Sequence, residues 1–371
     1  MMNLINKNGI KSHTLRVESL RKVFGNTVAV DGISFKTEPG EITAFLGPSG
    51  CGKTTTLRIV AGLESPTSGH IFIDLDEIND IPTHKRDIGL VFQDYALFPH
   101  KTVKQNIEFG LKIKKLDQSE IERRVKASIQ QVNLVGKEDR YPQQLSGGEQ
   151  QRVAVARTLV TEPRILLFDE PLSNLDAKLR ESTRLELHNL QRKLGITSIY
   201  VTHDQIEAFA IADKIMLMNK GKIEQFGTPE EIYAQPKTTF AADFIGTSNI
   251  LETTVTDFVD RYCVLNLSSG HQIKAPIIGK AENISKGKKL LVMIRTQKIR
   301  MTSEKPTGTG INILPGTCKY KVFLGDSTRC LLEIDGIRLI ADCESGCVRS
   351  VREGDVYISF DYMAVIPVGR G

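Results

Sequence analysis

The sequence predicts an α/β sheet domain with a helical insertion, followed by a smaller all-β domain. Three observations carry this. Short apolar runs alternate with helix-patterned segments from about Leu15 to Gly246. Strand patterns disappear between about Asp94 and Pro163. After about Thr247 the chain turns to β-branched runs broken by Gly, Asp and Ser.

Taken in order, ITAFL (Ile42 to Leu46) is an apolar run leading into a glycine-rich turn, with a helix expected from about Lys53. ILLFD (Ile165 to Asp169), SIYVTHD (Ser198 to Asp204) and KIMLM (Lys214 to Met218) read as further buried strands. In the insertion, Ser119 and Glu122 form a capping-box pattern, and Ile121, Val125, Ile129 and Val132 recur at helical spacing. In the tail, TTVTDFVDRYCVLNL, KLLVMIRTQKIRM, CKYKVFLGD, RCLLEIDGIRLIADC and DVYISFDYMAVIPV suggest a barrel or sandwich over 247–371.

The 371 residues suit two to three domains. Charge is nearly balanced, 49 basic against 44 acidic residues, and no basic stripe points to nucleic acid. The six cysteines include no CxxC pair, and Cys343 and Cys347 lack a second half for a zinc site. A large chain without a disulfide framework suits a reducing cytoplasm. The N-terminus lacks the apolar core of a signal peptide, and no run reaches the ~18 apolar residues of a spanning helix. Any action at a membrane therefore calls for another, spanning chain.

GPSGCGKT, Gly47 to Thr54, fits the phosphate-binding pattern GxxxxGK[ST] between a predicted strand and a predicted helix. Its glycines turn backbone N–H groups inward around phosphates, Lys53 reaches the β and γ phosphates, and the Thr54 hydroxyl is a Mg²⁺ ligand. Gly47, Pro48, Ser49, Gly50, Cys51, Gly52, Lys53, Thr54 and Thr55 are thus the candidate ATP contacts. Asp169, at the end of a strand, is a candidate for the Mg²⁺ shell, and Glu170 for polarising the attacking water. Many strands end in acidic residues, so this pair gains its meaning from the loop. His203 is a candidate partner of the γ-phosphate or the water, with a structural role as the alternative. Gln93, after GLVF, is a candidate for Mg²⁺ or the water. Phe24 can stack on a purine or be simply buried.

A second anion-binding design lies far along the chain. In LSGGEQQR, Ser146, Gly147 and Gly148 open a helix. Ser146 can be merely an N-cap. The glycines weaken a helix, and a ligand close to the backbone would explain them.

Phe24, GPSGCGKT, Gln93, LSGGEQQR, ILLFDE, SNLD and His203, in this order, resemble the ATP-binding subunit of ABC transporters over about Leu15 to Gly246. The resemblance makes Ser146 to Glu149 part of the signature motif and Ser173 to Asp176 the D-loop. Glu149 stands where glutamine is frequent, and Asn174 where alanine is. It implies that two copies meet head to tail, the signature of one, with Asp176, facing the phosphate loop of the other.

YALFPH, DEPLSNLDAKLR, GTPEEIYAQPKTTFAADFIG and the β tail are similar to bacterial importer ATPases of the maltose, polyamine, ferric-iron and aminoethylphosphonate group. Those carry an OB-like regulatory domain after the ATPase. IRTQKI (Ile294 to Ile299) departs from the Arg-Pro-Glu often found there. The resemblance implies an ATPase homodimer on the cytoplasmic face of the bacterial inner membrane. Two membrane-spanning permease subunits would bind it, a solute-binding protein would act indirectly, and ferric iron or a polyamine is preferred as solute. The segment Gln93 to His100 is expected to meet the permease: Tyr95, Leu97 and Phe98 are apolar residues in a predicted loop, with core packing the alternative for any one of them. Two rival classes are a soluble ABC ATPase of DNA repair or translation, and a binding module in the tail. The single ATPase copy, short helical insertion and absent basic stripe weigh against the first.

Overall fold

A computed structural model describes residues 12–277, 285–346 and 353–369. The N-terminal segment 1–11 and Cys347 lie outside them. The chain divides into two compact units, 1–229 and 230–371.

The first unit holds two sheets. β1 (Leu15–Phe24), β2 (Thr27–Thr37), β4 (Ser68–Ile73) and β5 (Asp76–Glu77) form an antiparallel sheet in the order β2-β1-β4-β5. The other contains β3 (Ile42–Leu46), β6 (Ile88–Val91), β7 (Ile165–Asp169), β8 (Ser198–Thr202), β9 (Lys214–Asn219) and β10 (Lys222–Gly227). Its order is β10-β9-β3-β8-β7-β6, parallel except for the edge strand β10. β3, β7 and β8 are buried at every position, as expected of central parallel strands covered on both faces.

One face packs α1 (Lys53–Ala61) and the antiparallel sheet through Leu57, Ile59, Phe45, Leu167 and Val201. The opposite face packs α4 (Gly147–Leu159), α5 (Ala177–Leu194) and α6 (Gln205–Ile211) through Val155, Leu187, Ile211, Phe168 and Tyr200. The helical insertion falls between β6 and β7. There α2 (Val103–Ile113) and α3 (Gln118–Gln131) pack on α4. Ile121, Val125, Ile129 and Val132 are buried in that core as their spacing predicts. The start of α3 differs from expectation. Asp117 occupies the N-cap, without a side-chain cap bond, and Ser119 lies inside the first turn.

In the second unit, α7 (Pro229–Ala234) and α8 (Thr239–Phe244) precede two antiparallel sheets. The first has β11 (Ser248–Val259), β12 (Tyr262–Leu267), β13 (Gln272–Pro276), β14 (Lys289–Arg295) and β20 (Ile366–Val368), in the order β13-β12-β11-β14-β20. The second has β15 (Arg300–Thr302), β16 (Ile311–Phe323), β17 (Ser327–Ile334), β18 (Ile337–Glu344) and β19 (Gly354–Asp361), in the order β15-β19-β16-β17-β18. Their inner faces share one core that includes Val255, Leu265, Val292, Leu332 and Ile358. These sheets suit an OB-like domain.

The division between Pro229 and Glu230 lies upstream of the expected boundary at 246/247. Arg295 ties the segment between the two positions to the strands that follow it. Its buried guanidinium donates to the carbonyls of Tyr233 (2.7 Å), Ala242 (3.0 Å) and Ile245 and to Ser248 Oγ (2.7 Å). Gly369 adds a backbone bridge to 237–239. The segment 230–246 is therefore tied to the β strands.

Candidate functional site

The ends of β3, β8, β7 and β6 are neighbours along one edge of the parallel sheet. Each is followed by candidate residues: Gly47 to Thr55 after β3, His203 after β8, Asp169 and Glu170 at the end of β7, and Gln93 after β6. Ligands of open parallel sheets bind at this carboxyl edge.

The glycine-rich loop is shaped by its neighbours. Gly47 (φ 155°) and Gly52 (φ 106°) have backbone angles foreign to L side chains. A Cβ on Gly52 would come 2.5 Å from the Ala29 carbonyl oxygen, and one on Gly47 2.3 Å from that of Met218. Ser49 and Gly50 form the exposed tip, Pro48, Thr54 and Thr55 are half-buried, and Cys51 is buried. Lys53 is 4% exposed and its ammonium lies inside the loop, donating to the carbonyls of Gly47 (2.7 Å) and Pro48 (3.0 Å). α1 starts at Lys53 with no side-chain cap and no acidic residue in its first turn, which leaves its N-terminal N–H groups and positive end for an anion.

Opposite this loop, Thr54 Oγ1 donates to Asp169 Oδ1 at 3.3 Å. Burial raises the Asp169 pKa, and the Thr54 hydrogen bond opposes that. Two hard oxygen donors side by side suit Mg²⁺ chemically. Glu170 follows with φ 46°, outside the usual range for a non-glycine residue. Its N–H donates to Val201 O (3.1 Å), and its own carbonyl accepts from Ser173 N (3.2 Å) and Ser173 Oγ (2.9 Å). The backbone is thus held on both sides, and Glu170 Oε2 lies 3.0 Å from His203 Nδ1.

Other candidates lie apart from this cluster. Phe24 is 47% exposed under the Lys22 ammonium, 4.7 Å from its ring centre. Ser146 caps α4, accepting from Glu149 N, while Glu149 Oε2 accepts from Ser146 N at 2.8 Å. Lys137, bonded to the Glu149 carboxylate, holds its pKa at about 2. Asp176 caps α5, accepting from Leu179 N at 2.9 Å. The glycines have a cause within the chain itself. A Cβ on Gly147 would come 2.8 Å from Leu175, and one on Gly148 3.3 Å from Thr183 and 3.4 Å from Leu179. These contacts are with side-chain ends, so packing within the chain accounts for the two glycines only in part.

The loop after Gln93 is exposed only in part. Gln93 is exposed, and its carbonyl accepts from Asn174 Nδ2 at 2.9 Å. Tyr95, however, is buried, with φ 60°, and Arg157 ties down the carbonyls of Tyr95 and Ala96. Leu97 and Phe98 are half-buried, Phe98 packing on Phe109 with ring centres 4.5 Å apart. Phe92, just before Gln93, is an exposed large apolar side chain.

Sequence reasoning passed over the supports behind His203. Thr202 Oγ1 donates to Glu207 Oε2 at 2.7 Å and accepts from Asp204 N at 3.0 Å. Asp204 caps α6. The spacing of Asp204 and Glu207 is itself a capping-box pattern, a signal that could have found them.

The chain is similar to known proteins in both sequence and fold. Residues 30–173 match the family model for the ABC transporter. A spermidine/putrescine import ATP-binding protein of Acidothermus cellulolyticus is 46% identical over 82% of this chain and 79% of its own length. One from Thermotoga maritima is 41% identical over 86% of both chains. An Fe(3+) ions import ATP-binding protein of Photorhabdus laumondii is 51% identical over 66% of this chain and 70% of its own. Among solved structures, a dimeric ATP-binding cassette in a post-hydrolysis state with ADP and Pi aligns at TM-score 0.52. It is 32% identical, and the match covers 58% of this chain and 98% of that one. A subunit of an ABC transporter complex from Clostridium perfringens aligns at 0.56, with 34% identity over 60% and 92%.

Proposed function

This chain belongs to the ABC transporter family, and on that premise we propose that its ATP site is composite, built from two copies of the chain. The chain is the ATP-hydrolysing motor subunit of an importer, it acts as a dimer, and it works with membrane permease partners. In the proposed site, Gly47 to Thr55 of one copy hold the phosphates, with Phe24 against the base. Ser146 to Glu149 and Asp176 of the other copy close the outer side. The observation that carries this reading is the clustering of Lys53, Thr54, Asp169, Glu170 and His203 at one sheet edge, while the hydrogen bonds of Ser146 and Glu149 run within the helical layer.

Thr54, Asp169 and Gln93 are the groups suited to hold Mg²⁺, which when bound offsets charge on the phosphate oxygens. Glu170 orients the attacking water and accepts its proton. The water oxygen bonds to the γ-phosphorus as the bond to the bridging oxygen breaks, releasing ADP and phosphate. His203 keeps the Glu170 carboxylate aimed and faces the γ-phosphate. Signature N–H groups from the second copy stabilise the equatorial charge and exclude water.

The proposed setting is the cytoplasmic face of the bacterial inner membrane, docked on two permease subunits that a solute-binding protein feeds. Among the described residues no helix is long and apolar enough to cross a membrane. A polyamine is the proposed solute, because the spermidine/putrescine relatives match over 82% and 86% of this chain, beyond the ATPase unit. Uptake of labelled spermidine into proteoliposomes holding this chain and its neighbouring permease is the test. Uptake that requires ATP and is lost with Lys53→Ala is expected. ATP-driven uptake of ferric iron with none of spermidine would reassign the solute.

A further inference from the structure

Arg180 sits one turn into α5 and reaches in two directions. Nη2 donates to Leu175 O at 3.0 Å and to Ser173 O at 3.5 Å, both in the loop 173–176. On the other side, Nη1 lies 3.7 Å from Asp204 Oδ2 and Nε 4.0 Å from Glu207 Oε1. These two carboxylates directly follow the turn that presents His203, at the start of α6. Asp204 Oδ1 accepts from the N–H groups of Ile206 (2.8 Å) and Glu207 (3.2 Å), and Glu207 holds Thr202.

The loop on the first side has its own link to the reacting groups. Ser173 is bonded to the Glu170 carbonyl, and Asn174 to the Gln93 carbonyl. One guanidinium therefore joins the loop beside Glu170 to the turn that carries His203. Two details mark this as more than a surface ion pair. Glu207 is only 3% exposed, and burial raises its pKa while the Thr202 hydrogen bond and then the Arg180 charge oppose that. Arg180 Nε is itself buried without a hydrogen-bond acceptor, so a small rotation of the guanidinium can close a bond to Glu207.

We infer that Arg180 is a positioning residue that locks the loop 173–176 and the His203 turn into one unit, so that a partner touching the loop also sets the histidine against Glu170. This rests on the role proposed above for His203. The planar fork of arginine is what allows it to bond the loop carbonyls while two carboxylates lie within 4.0 Å of its other nitrogens. A lysine ammonium in its place meets one group at a time.

The test uses the full chain, comparing ATP turnover of wild type, Arg180→Met, Glu207→Gln, the double variant and His203→Ala. Arg180→Met is expected to lower kcat about ten- to a hundredfold, the scale of a small misplacement at a reacting centre. KM for ATP should stay within about twofold, because no phosphate-holding group is altered. The double variant should be no slower than the slower single variant, since both break the same link. Turnover of Arg180→Met within about twofold of wild type would overturn the inference, as would losses that multiply in the double variant. Should Arg180→Met fail to fold, Arg180→Lys carries the same comparison. A His203→Ala protein with wild-type turnover would instead overturn the role of His203 on which the inference stands.

Discussion

Replacing Glu170 by glutamine isolates the proton-accepting role from everything else at the site. The side chain keeps its length, and its amide still meets His203 Nδ1 where Oε2 now lies at 3.0 Å. The backbone, with φ 46°, is held by Val201 O and Ser173 in either variant. Stability should therefore shift by no more than about 0.5 kcal/mol. Lys53, Thr54 and Asp169 are untouched, so ATP affinity should hold. What disappears is the base. The rate of γ-phosphate cleavage should fall by roughly two to four orders of magnitude, which is about 3–5 kcal/mol on the barrier. Single-turnover hydrolysis measured beside equilibrium ATP binding separates the two effects, and sizing in the presence of ATP should reveal a stable dimer. Cleavage within about tenfold of wild type, with binding intact, would refute the assignment of Glu170 as the base.

Three further outcomes follow from the same geometry. His203→Ala should lose turnover by about two orders of magnitude, as removal of a transition-state donor does; its exposed ring makes little contribution to stability, so unchanged melting alongside lost activity is the signature. Asp169→Asn should abolish turnover yet raise the melting temperature near pH 8. Burial raises the Asp169 pKa, so the stabilising protonated form is present below the usual carboxylate range and lost as pH rises through the folded value; the gain over wild type should vanish near pH 4, at about the ordinary Asp value. Arg295→Met leaves the carbonyls of Tyr233, Ala242 and Ile245 without their donor, and should destabilise the second unit by about 3 kcal/mol in urea unfolding.

The sequence was most legible where one local cause acts. β3 and β7 match their apolar runs residue for residue, because a central parallel strand must be apolar on both faces. The phosphate loop was legible for a similar reason, since its backbone angles admit only glycine at Gly47 and Gly52. Causes that arise from tertiary approach were hidden. Gly147 and Gly148 pack beside Leu175 in the loop before α5 and Leu179 within it. Tyr95 lies in a loop and is buried, because its side chain packs in the core with Val91, Val155 and Phe168. Arg295 binds 230–246 to the strands across a long sequence separation, a link that composition does not reveal. Periodicity fixed the buried stripe of α3 but could not separate Asp117 from Ser119 as its cap, since both are capping residues within one turn.

The composite site is tested most directly by mixing two inactive variants. Lys53→Ala breaks the phosphate loop. Ser146→Arg blocks the exposed N-terminus of α4, at about 1 kcal/mol for the lost cap. It replaces the more obvious Gly148→Asp, whose side chain would meet Thr183 and Leu179 within its own chain. Each homodimer then has two damaged sites, whereas in a mixed dimer one site pairs an intact Lys53 with an intact Ser146. Labelled ATP trapped in the mixture, at one molecule per mixed dimer and in neither parent, is the predicted result. No trapping, with mixed dimers shown to form, would contradict a site shared between two copies.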